Sequence, residues 1–195
     1  MSMSNITYSI KQKILRFLIE NKTESFSIRD ISKALKIDYK LVYLNIKKLE
    51  ENKVIEVEDL KVIKKCSFKD KFNEDVFIVE NKRRNEILEK KEFRAIYDKL
   101  KTINNQFILL LFGSHIKRAA LKNSDIDLLL VSEEAKLIEE KLEILPLKIH
   151  LTSLSYNSFI SMIKSKEQTV VSEVLKKNVI LLGIEDYYRL IENAK

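Results

Sequence analysis

The segment 112–131 most constrains how this chain can fold, because a Gly-Ser pair ends one apolar run there and a pair of aspartates opens the next. The first run, 107–112, has six apolar residues, which is too short to cross a membrane and suits a buried strand. The second run begins at Asp125-Ile126-Asp127. The pattern therefore predicts two buried strands joined by a polar loop, with polar side chains at the adjoining strand ends.

Gly113 and Ser114 have the chemistry of a phosphate-binding turn. Glycine lets the backbone turn sharply and come close to a ligand. Ser114 adds a hydroxyl and an amide at the predicted start of a helix, where anions bind well. The pair is therefore predicted to contact a nucleotide phosphate.

Asp125 and Asp127 are predicted to face the same side of the second strand, because side chains alternate between the two faces of a sheet. Two carboxylates held on a rigid strand suit Mg²⁺, which keeps several waters and is usually shared with substrate phosphates. Together with the phosphate turn, they predict a nucleotidyl-transfer site. The alternative is that Asp-Ile-Asp is only the solvated start of an ordinary strand.

This segment resembles the signature of the nucleotidyltransferase superfamily, in particular its minimal members, in which Gly-Ser is followed about ten residues later by Asp-x-Asp. The resemblance covers roughly 82–195 and includes the closing segments 179–183 and Tyr187-Tyr188. It implies transfer of a nucleoside monophosphate from an NTP, with ATP as first candidate, to an acceptor hydroxyl with Mg²⁺ or Mn²⁺. Minimal relatives that act as antitoxins modify a partner protein. The matching residues are Gly113, Ser114, Ser124, Asp125 and Asp127, with Lys117 on a usually basic position.

Two positions depart from the family pattern. Members usually carry a third carboxylate on a later strand, where this chain has His150. Imidazole is a poor Mg²⁺ ligand and an acceptable Mn²⁺ ligand, and it could also serve as a general base; a merely packed histidine is the alternative. Arg118 stands where many relatives have glycine. Its guanidinium could clamp phosphate through paired hydrogen bonds or fill the space that the nucleotide needs.

The N-terminal third has a different pattern. Apolar residues recur at helical spacing from Ile10 to Ile19, a second helix is predicted over 28–35 with Ser27 as its N-cap, and a third over 39–51. Alternating residues at 54–57 and 60–63 predict a short antiparallel hairpin. This part, about 7–65, resembles winged helix-turn-helix DNA-binding domains.

In that family the third helix enters the major groove of double-stranded DNA. Residues 1–65 contain 14 Lys and Arg against 9 Asp and Glu, whereas 66–195 contain 22 against 20, so the basic excess lies on the predicted DNA-binding part. Winged helices also mediate protein contacts, which is the alternative. Carried over by position, the DNA-facing residues are Tyr39, Lys40, Tyr43 and Lys47, with Lys48, Lys61, Lys64 and Lys65 available for phosphates.

The predicted fold is α+β: a winged helix domain at 1–68, a connecting segment and helix at 69–102, and a small nucleotidyltransferase-fold α/β domain at 103–195 with a mixed sheet and C-terminal helices. An amphipathic helix is predicted over 81–101, and further amphipathic helices are predicted at 157–166 and 168–178. Cys66 is the only cysteine, so an internal disulfide and a cysteine-rich zinc site are excluded. With no apolar stretch long enough for a signal peptide or a membrane span, a cytoplasmic protein is expected.

Three functional hypotheses follow. The first is a metal-dependent nucleotidyltransferase that uses Asp125, Asp127 and His150 and acts on an acceptor such as a partner protein. The second is a DNA-binding transcriptional regulator whose nucleotidyltransferase-like domain senses nucleotide or forms a homodimer; the missing third carboxylate favours it. The third is an assembly protein that uses both domains for protein contacts.

Overall fold

The computed structural model describes residues 6–61, 63–116, 124–165 and 169–194. The chain divides into two compact units, Met1–Val79 and Glu80–Lys195. The division falls inside the segment 69–102, which the sequence predicts as the connection. Within the described ranges, no helix is long and apolar enough to cross a membrane.

The N-terminal unit combines three helices with a small antiparallel sheet. Its strands are in the order β1-β3-β2. The side chains that pack inside it come from all three helices and from the strands, and Leu15, Leu18, Ile31 and Leu49 are fully buried. The elements are α1 (Ile10–Glu20), β1 (Phe26–Ser27), α2 (Ile28–Leu35), α3 (Tyr39–Glu51), β2 (Ile55–Asp59) and β3 (Lys64–Phe68).

Helices α2 and α3 start and stop where their capping residues dictate. The Ser27 hydroxyl accepts from the Asp30 amide at 3.0 Å, and the Asp30 carboxylate accepts from the Ser27 amide at 3.1 Å, which closes a capping box. The Ser27 hydroxyl also donates to the Asp30 carboxylate at 2.6 Å, and this hydrogen bond, with the one from the Ser27 amide, lowers the pKa of Asp30. Helix α2 ends at Lys36 in a left-handed conformation with φ of 54°, and Asp38 caps α3 two residues later. The predicted helices at 28–35 and 39–51 are both present.

The second strand of the hairpin begins at Lys64 and not at Leu60, where it was predicted. This second strand is β3, and Leu60, Lys61 and Ile63, predicted as strand, precede it. Val62, also predicted as strand, lies outside the described residues. The Leu60 amide donates to the Ile63 carbonyl at 3.0 Å, and Lys61 has a φ of 67° with its amide bonded to Asp59. Leu60 and Ile63 are also exposed. Apolar residues recur in 60–63 much as they do in a strand, so the sequence pattern predicted the second strand too early in the chain.

The C-terminal unit is built on a four-stranded mixed sheet in the order β6-β5-β4-β7. Strands β5 and β6 are parallel, and β4 is antiparallel to both β5 and β7. The strands are β4 (Ile108–Leu111), β5 (Ile126–Val131), β6 (Ile149–Leu154) and β7 (Val179–Leu182). The helices are α4 (Glu74–Ile87), α5 (Lys91–Leu100), α6 (Ala135–Glu143), α7 (Tyr156–Lys164), α8 (Val170–Lys176) and α9 (Ile184–Ala194).

The single amphipathic helix predicted over 81–101 is two helices, α4 and α5. The chain turns between them, with the Lys90 amide bonded to the Ile87 carbonyl at 3.1 Å. Leu88 and Phe93 are both buried but stand five residues apart, a spacing that one continuous helix would not keep on a single face. The break allows both to join one core cluster.

Two faces of the sheet have different environments. One face carries Leu109, Leu111 and Leu128, which belong to a core cluster that also contains buried residues of α5 and α6. Side chains of neighbouring positions point to the other face, and these include Asp127 and His150, which are opposite each other in the β5–β6 register. The polar residues of the predicted site therefore lie on the face turned away from α5 and α6.

A buried polar network fixes the last strand and helix to α4. Arg83 and Glu80 form an ion pair at 2.5 Å, and Arg83 also donates to the carbonyl of Asn178 at 2.7 Å. The Tyr188 hydroxyl donates to Glu80 at 2.6 Å. Burial and the neighbouring Glu80 charge raise the pKa of Tyr188 well above its usual value. Glu80, Arg83 and Tyr188 are therefore each hydrogen-bonded within this network.

Candidate active site

Gly113 closes β4 in direct contact with Asp127. The Phe112 amide donates to the Asp127 carbonyl at 3.1 Å, which extends the β4–β5 pairing to the start of the turn. Gly113 then adopts a φ of 74°, and a Cβ atom on it would lie 2.1 Å from Oδ2 of Asp127. Glycine is therefore required here both for the backbone conformation and for the space that the carboxylate occupies.

Gly113 and Ser114 belong to a single 3₁₀ turn, Gly113–His115, and both are half-buried. A helix was predicted to start at Ser114. Within the described residues, the structure has this short turn there. Lys117 and Arg118, predicted to contact phosphate, lie outside the described residues. What the structure places beside the carboxylates is the backbone of Gly113 and the adjoining Ser114.

The two aspartates stand at the start of β5 as the alternation of the strand requires. Asp125 is exposed and immediately precedes the strand, and 27% of the Asp127 side chain is accessible. Ile126 and Leu128, on the opposite face, are buried. Both carboxylates can therefore be reached from solvent while the strand itself is fixed in the core.

His150 lies on β6 directly beside Asp127. The parallel register pairs the two residues, and the His150 Nδ1 atom is 3.3 Å from Asp127 Oδ1. The His150 side chain is 70% accessible, so it is not a packed core histidine. The family resemblance predicts a carboxylate at this position. This chain has an imidazole there, in contact with an aspartate.

Within the described ranges, no three His, Cys, Asp or Glu side chains are grouped so that they could hold a metal ion. Asp125 and Asp127 are the carboxylates at the start of β5 that are predicted to bind a metal. Mg²⁺ is commonly bound by one or two protein carboxylates, with waters and substrate phosphates as its other ligands. The two carboxylates therefore fit a metal ion whose remaining ligands are waters and the phosphates of a bound nucleotide.

His115 was not singled out in the sequence, and it connects the two halves of the site. Its Nε2 atom lies 3.1 Å from the carbonyl oxygen of Ser124, the residue before Asp125. Its ring meets the ring of Phe93 edge-on, with centroids 5.4 Å apart. His115 therefore connects the start of β5 to the turn Gly113–His115. Its position directly after Gly-Ser could have drawn attention to this histidine. The sequence does not show, however, which residue it contacts.

A second group absent from the sequence prediction lies beside Gly113. A cleft of about 220 Å³ is lined by Phe112, Gly113, Glu173, Lys176 and Lys177. Glu173 and Lys176 belong to α8, and Lys177 is the residue after it. The predicted helix at 168–178 is present, but no chemistry was assigned to it, because lysines at helix ends are common in a chain this basic.

The residues predicted to face DNA lie on α3 of the N-terminal unit. Tyr39, Lys40, Lys47 and Lys48 are exposed, and Tyr43 is half-buried with the Lys47 ammonium 5.0 Å from its ring centroid. Cation–π contact of this kind holds a lysine against the helix surface. The exposed face of α3 therefore carries lysines and a tyrosine, together with the exposed Leu41 and Leu44.

Lys64, also assigned to DNA phosphates by position, has an acidic partner. Its ammonium lies 3.1 Å from Asp59 across the hairpin. This contact raises the pKa of Lys64 and lowers that of Asp59. A phosphate at Lys64 would have to compete with Asp59.

Residues 94–186 match the family model described as Polymerase beta, Nucleotidyltransferase. The matched segment contains the whole sheet β4–β7, the Gly113–Ser114 turn, both aspartates and His150. The C-terminal unit thus contains a nucleotidyltransferase-fold domain, and the match indicates nucleotidyl transfer as its general class of activity. No curated protein sequence matches the chain.

Proposed function

We propose that the protein transfers a nucleoside monophosphate from an NTP, with ATP as the first candidate, to a hydroxyl group of an acceptor such as a partner protein. The observation that carries this proposal is the contact between Gly113 and Asp127. It sets the backbone of the turn that we propose to bind phosphate directly against the carboxylate that we propose to bind metal. In a nucleotidyl-transfer reaction the triphosphate and its metal must be neighbours in this way.

Asp125 and Asp127 would hold Mg²⁺ or Mn²⁺, and Gly113 and Ser114 would hold the β- and γ-phosphates. A bound divalent metal neutralises developing charge on the triphosphate. The turn contributes backbone amides and the Ser114 hydroxyl, and its rigid attachment to β4 orients the α-phosphorus for in-line attack. Lys117 and Arg118 would add positive charge beside the phosphates.

His150 is proposed to take the proton of the attacking hydroxyl. A neutral imidazole that donates its Nδ1 proton to Asp127 presents an unprotonated Nε2 to solvent. The acceptor oxygen forms a bond to the α-phosphorus, the bond from that phosphorus to the bridging β-phosphate oxygen breaks, and pyrophosphate leaves. The hydroxyl proton passes to Nε2 of His150. The exposure of the ring supports this role over a structural one.

We also propose that the N-terminal unit is a winged helix domain at 1–68 that binds double-stranded DNA through α3. The order of three helices and a hairpin, the exposed Lys40 and Lys47, and the charge excess of residues 1–65 support it. With 103–195 as the nucleotidyltransferase domain, DNA binding and nucleotidyl transfer would reside in separate parts of one chain. The alternative function is a regulator that senses nucleotide without transferring it.

The test of transfer uses the full-length protein, each NTP labelled at the α-phosphate, Mg²⁺ or Mn²⁺, and total cell extract as acceptor. Label should appear on an acceptor with the native protein and be absent with Asp127→Asn. The matched control is Asp98→Asn, which removes the same charge from an exposed carboxylate on α5. Nucleotide binding without transfer would support the sensing regulator instead.

A further inference from the structure

The cleft beside Gly113 is too small for a whole nucleotide and carries two lysines. Its volume of about 220 Å³ lies below the roughly 300–1,000 Å³ of pockets that enclose drug-sized ligands. Lys176 and Lys177 line it, and both are exposed. A lysine ammonium is a compact charge with three donors and is a common phosphate ligand. The size and charge of the cleft suit a short chain of phosphate groups.

The sheet topology places these lysines at the phosphate turn. Strand β7 is antiparallel to β4, and Val179 at the start of β7 pairs with Leu111 at the end of β4. The residues just before Val179 therefore stand beside the residues just after Leu111, which are Phe112 and Gly113. This neighbourhood follows from backbone pairing, so it does not depend on a particular lysine rotamer.

The end of α8 is firmly anchored. Val171 and Val174 are fully buried, and the buried Asn178 side chain donates to the Val174 carbonyl at 2.8 Å and to the Tyr187 hydroxyl at 2.9 Å. Helix α8 ends at Lys176, and Lys177 continues in extended backbone. The two lysines thus extend from a backbone that is already ordered, so anion binding has to order only their side chains.

We propose that Lys176 and Lys177 form a polyphosphate subsite that continues the Gly113–Ser114 turn and binds the terminal phosphates of the nucleoside triphosphate. The proposal rests on the proposed function, because it assigns the triphosphate end of that substrate to a defined pair of residues. The subsite makes the protein select triphosphates over monophosphates. It also holds pyrophosphate before release.

Glu173 sets the strength of the subsite. It is an exposed acidic residue one turn before Lys176 and Lys177, and it lines the same cleft. Its charge opposes a bound phosphate while each lysine charge favours it. Removing the Glu173 charge should therefore strengthen anion binding, and removing the lysine charges should weaken it. These opposite effects distinguish a phosphate subsite from a cleft that responds only to disturbance of α8.

The experiment measures binding of inorganic tripolyphosphate to the full-length protein by calorimetry at low ionic strength and without divalent metal. The double variant Lys176→Ala/Lys177→Ala should bind at least about tenfold more weakly, while Lys176→Arg/Lys177→Arg and Glu173→Gln should keep or strengthen binding. The matched control is Lys136→Ala/Lys141→Ala on α6, which removes the same charge elsewhere. Equal affinity in the native protein and the lysine-to-alanine variant, or an equal loss in the control, overturns the proposal.

This test is separate from transfer, because tripolyphosphate has no nucleoside to transfer and no metal is added. Lysine-dependent tripolyphosphate binding in a protein that transfers no label would support the subsite and contradict the transferase. The opposite result is transfer that requires Asp127, together with tripolyphosphate binding that the lysine variants leave unchanged. That result would support the transferase and contradict the subsite. A thermal unfolding midpoint equal to that of the native protein shows that the variants fold, as the exposure of both lysines predicts.

Discussion

Gly113 occupies space against Asp127 that no other residue type could share, since a Cβ atom at this position would lie 2.1 Å from the Asp127 Oδ2 atom. The positive φ of Gly113 adds a second requirement for glycine. The Gly-Ser turn and the Asp127 carboxylate thus depend on each other sterically. The Gly-Ser and Asp-x-Asp parts of the motif are therefore one structural unit, although about ten residues separate them in sequence.

Gly113→Ala should displace the Asp127 carboxylate and abolish metal-dependent nucleotide binding. It should also cost more than about 1 kcal/mol of unfolding free energy, because alanine is strained at positive φ. Calorimetric titration with ATP and Mg²⁺, together with urea unfolding, measures both effects. The control is Gly183→Ala, where φ is 77° and the added Cβ would meet the Phe107 carbonyl at 2.5 Å. That variant should lose stability without moving Asp127; native-like nucleotide affinity in Gly113→Ala would contradict the account.

His150→Ala should slow nucleotidyl transfer by about 100-fold or more while leaving the fold intact, because loss of a general base typically costs this much. His150→Asp places a carboxylate opposite Asp127 and should raise the Mg²⁺-supported rate relative to the Mn²⁺-supported rate. Single-turnover rates with each metal provide the measurement. If His150→Ala transfers label at the native rate, the imidazole has no part in the chemistry.

Lys40→Ala/Lys47→Ala should weaken binding of double-stranded DNA and reduce the salt slope by up to about 2, since each lost phosphate contact removes about 0.9 from it. The control Lys13→Ala/Lys136→Ala removes two exposed lysine charges elsewhere. Fluorescence anisotropy from 50 to 200 mM salt gives the slopes. An unaltered slope would instead indicate that α3 contacts protein.

Cys66 should resist thiol reagents in the folded protein at pH 8 and react fully in urea. Burial, with a smaller contribution from the Glu50 charge, raises the pKa of the Cys66 thiol from 9.0 to about 11. Because the folded state keeps its proton to a higher pH than the unfolded state, the folding stability contributed by this group falls as pH rises from about 9 to 11. Urea unfolding across that interval, with Cys66→Val lacking this dependence, measures it. Rapid labelling of the folded protein would show that the thiol is accessible.

The sequence predicted the parts of the site that local chemistry determines. The apolar runs around Gly113 and Asp127 gave both strands within one or two residues, since length and burial distinguish them. The family resemblance assigned His150 to the place of a third carboxylate on a later strand, and the observed β5–β6 register sets His150 opposite Asp127. The match of 94–186 to a nucleotidyltransferase model supports the same domain.

What could not be predicted depends on contacts between distant parts of the chain. Lys176 and Lys177 reach Gly113 only because β7 pairs with β4, and a single sequence does not reveal strand order. The His115–Ser124 contact likewise needs the loop to be closed. The misplaced hairpin strand at 60–63 and the unbroken helix over 81–101 arose because apolar spacing does not locate a turn.

The most direct test of the central proposal is transfer of α-phosphate label from ATP to an acceptor by the full-length protein, compared with its Asp127→Asn variant. We expect metal-dependent labelling by the native protein and by Asp98→Asn. Asp127→Asn should give no labelling although its unfolding midpoint is unchanged. Equal labelling by native protein and Asp127→Asn would contradict the assignment of the site at Gly113 and Asp127.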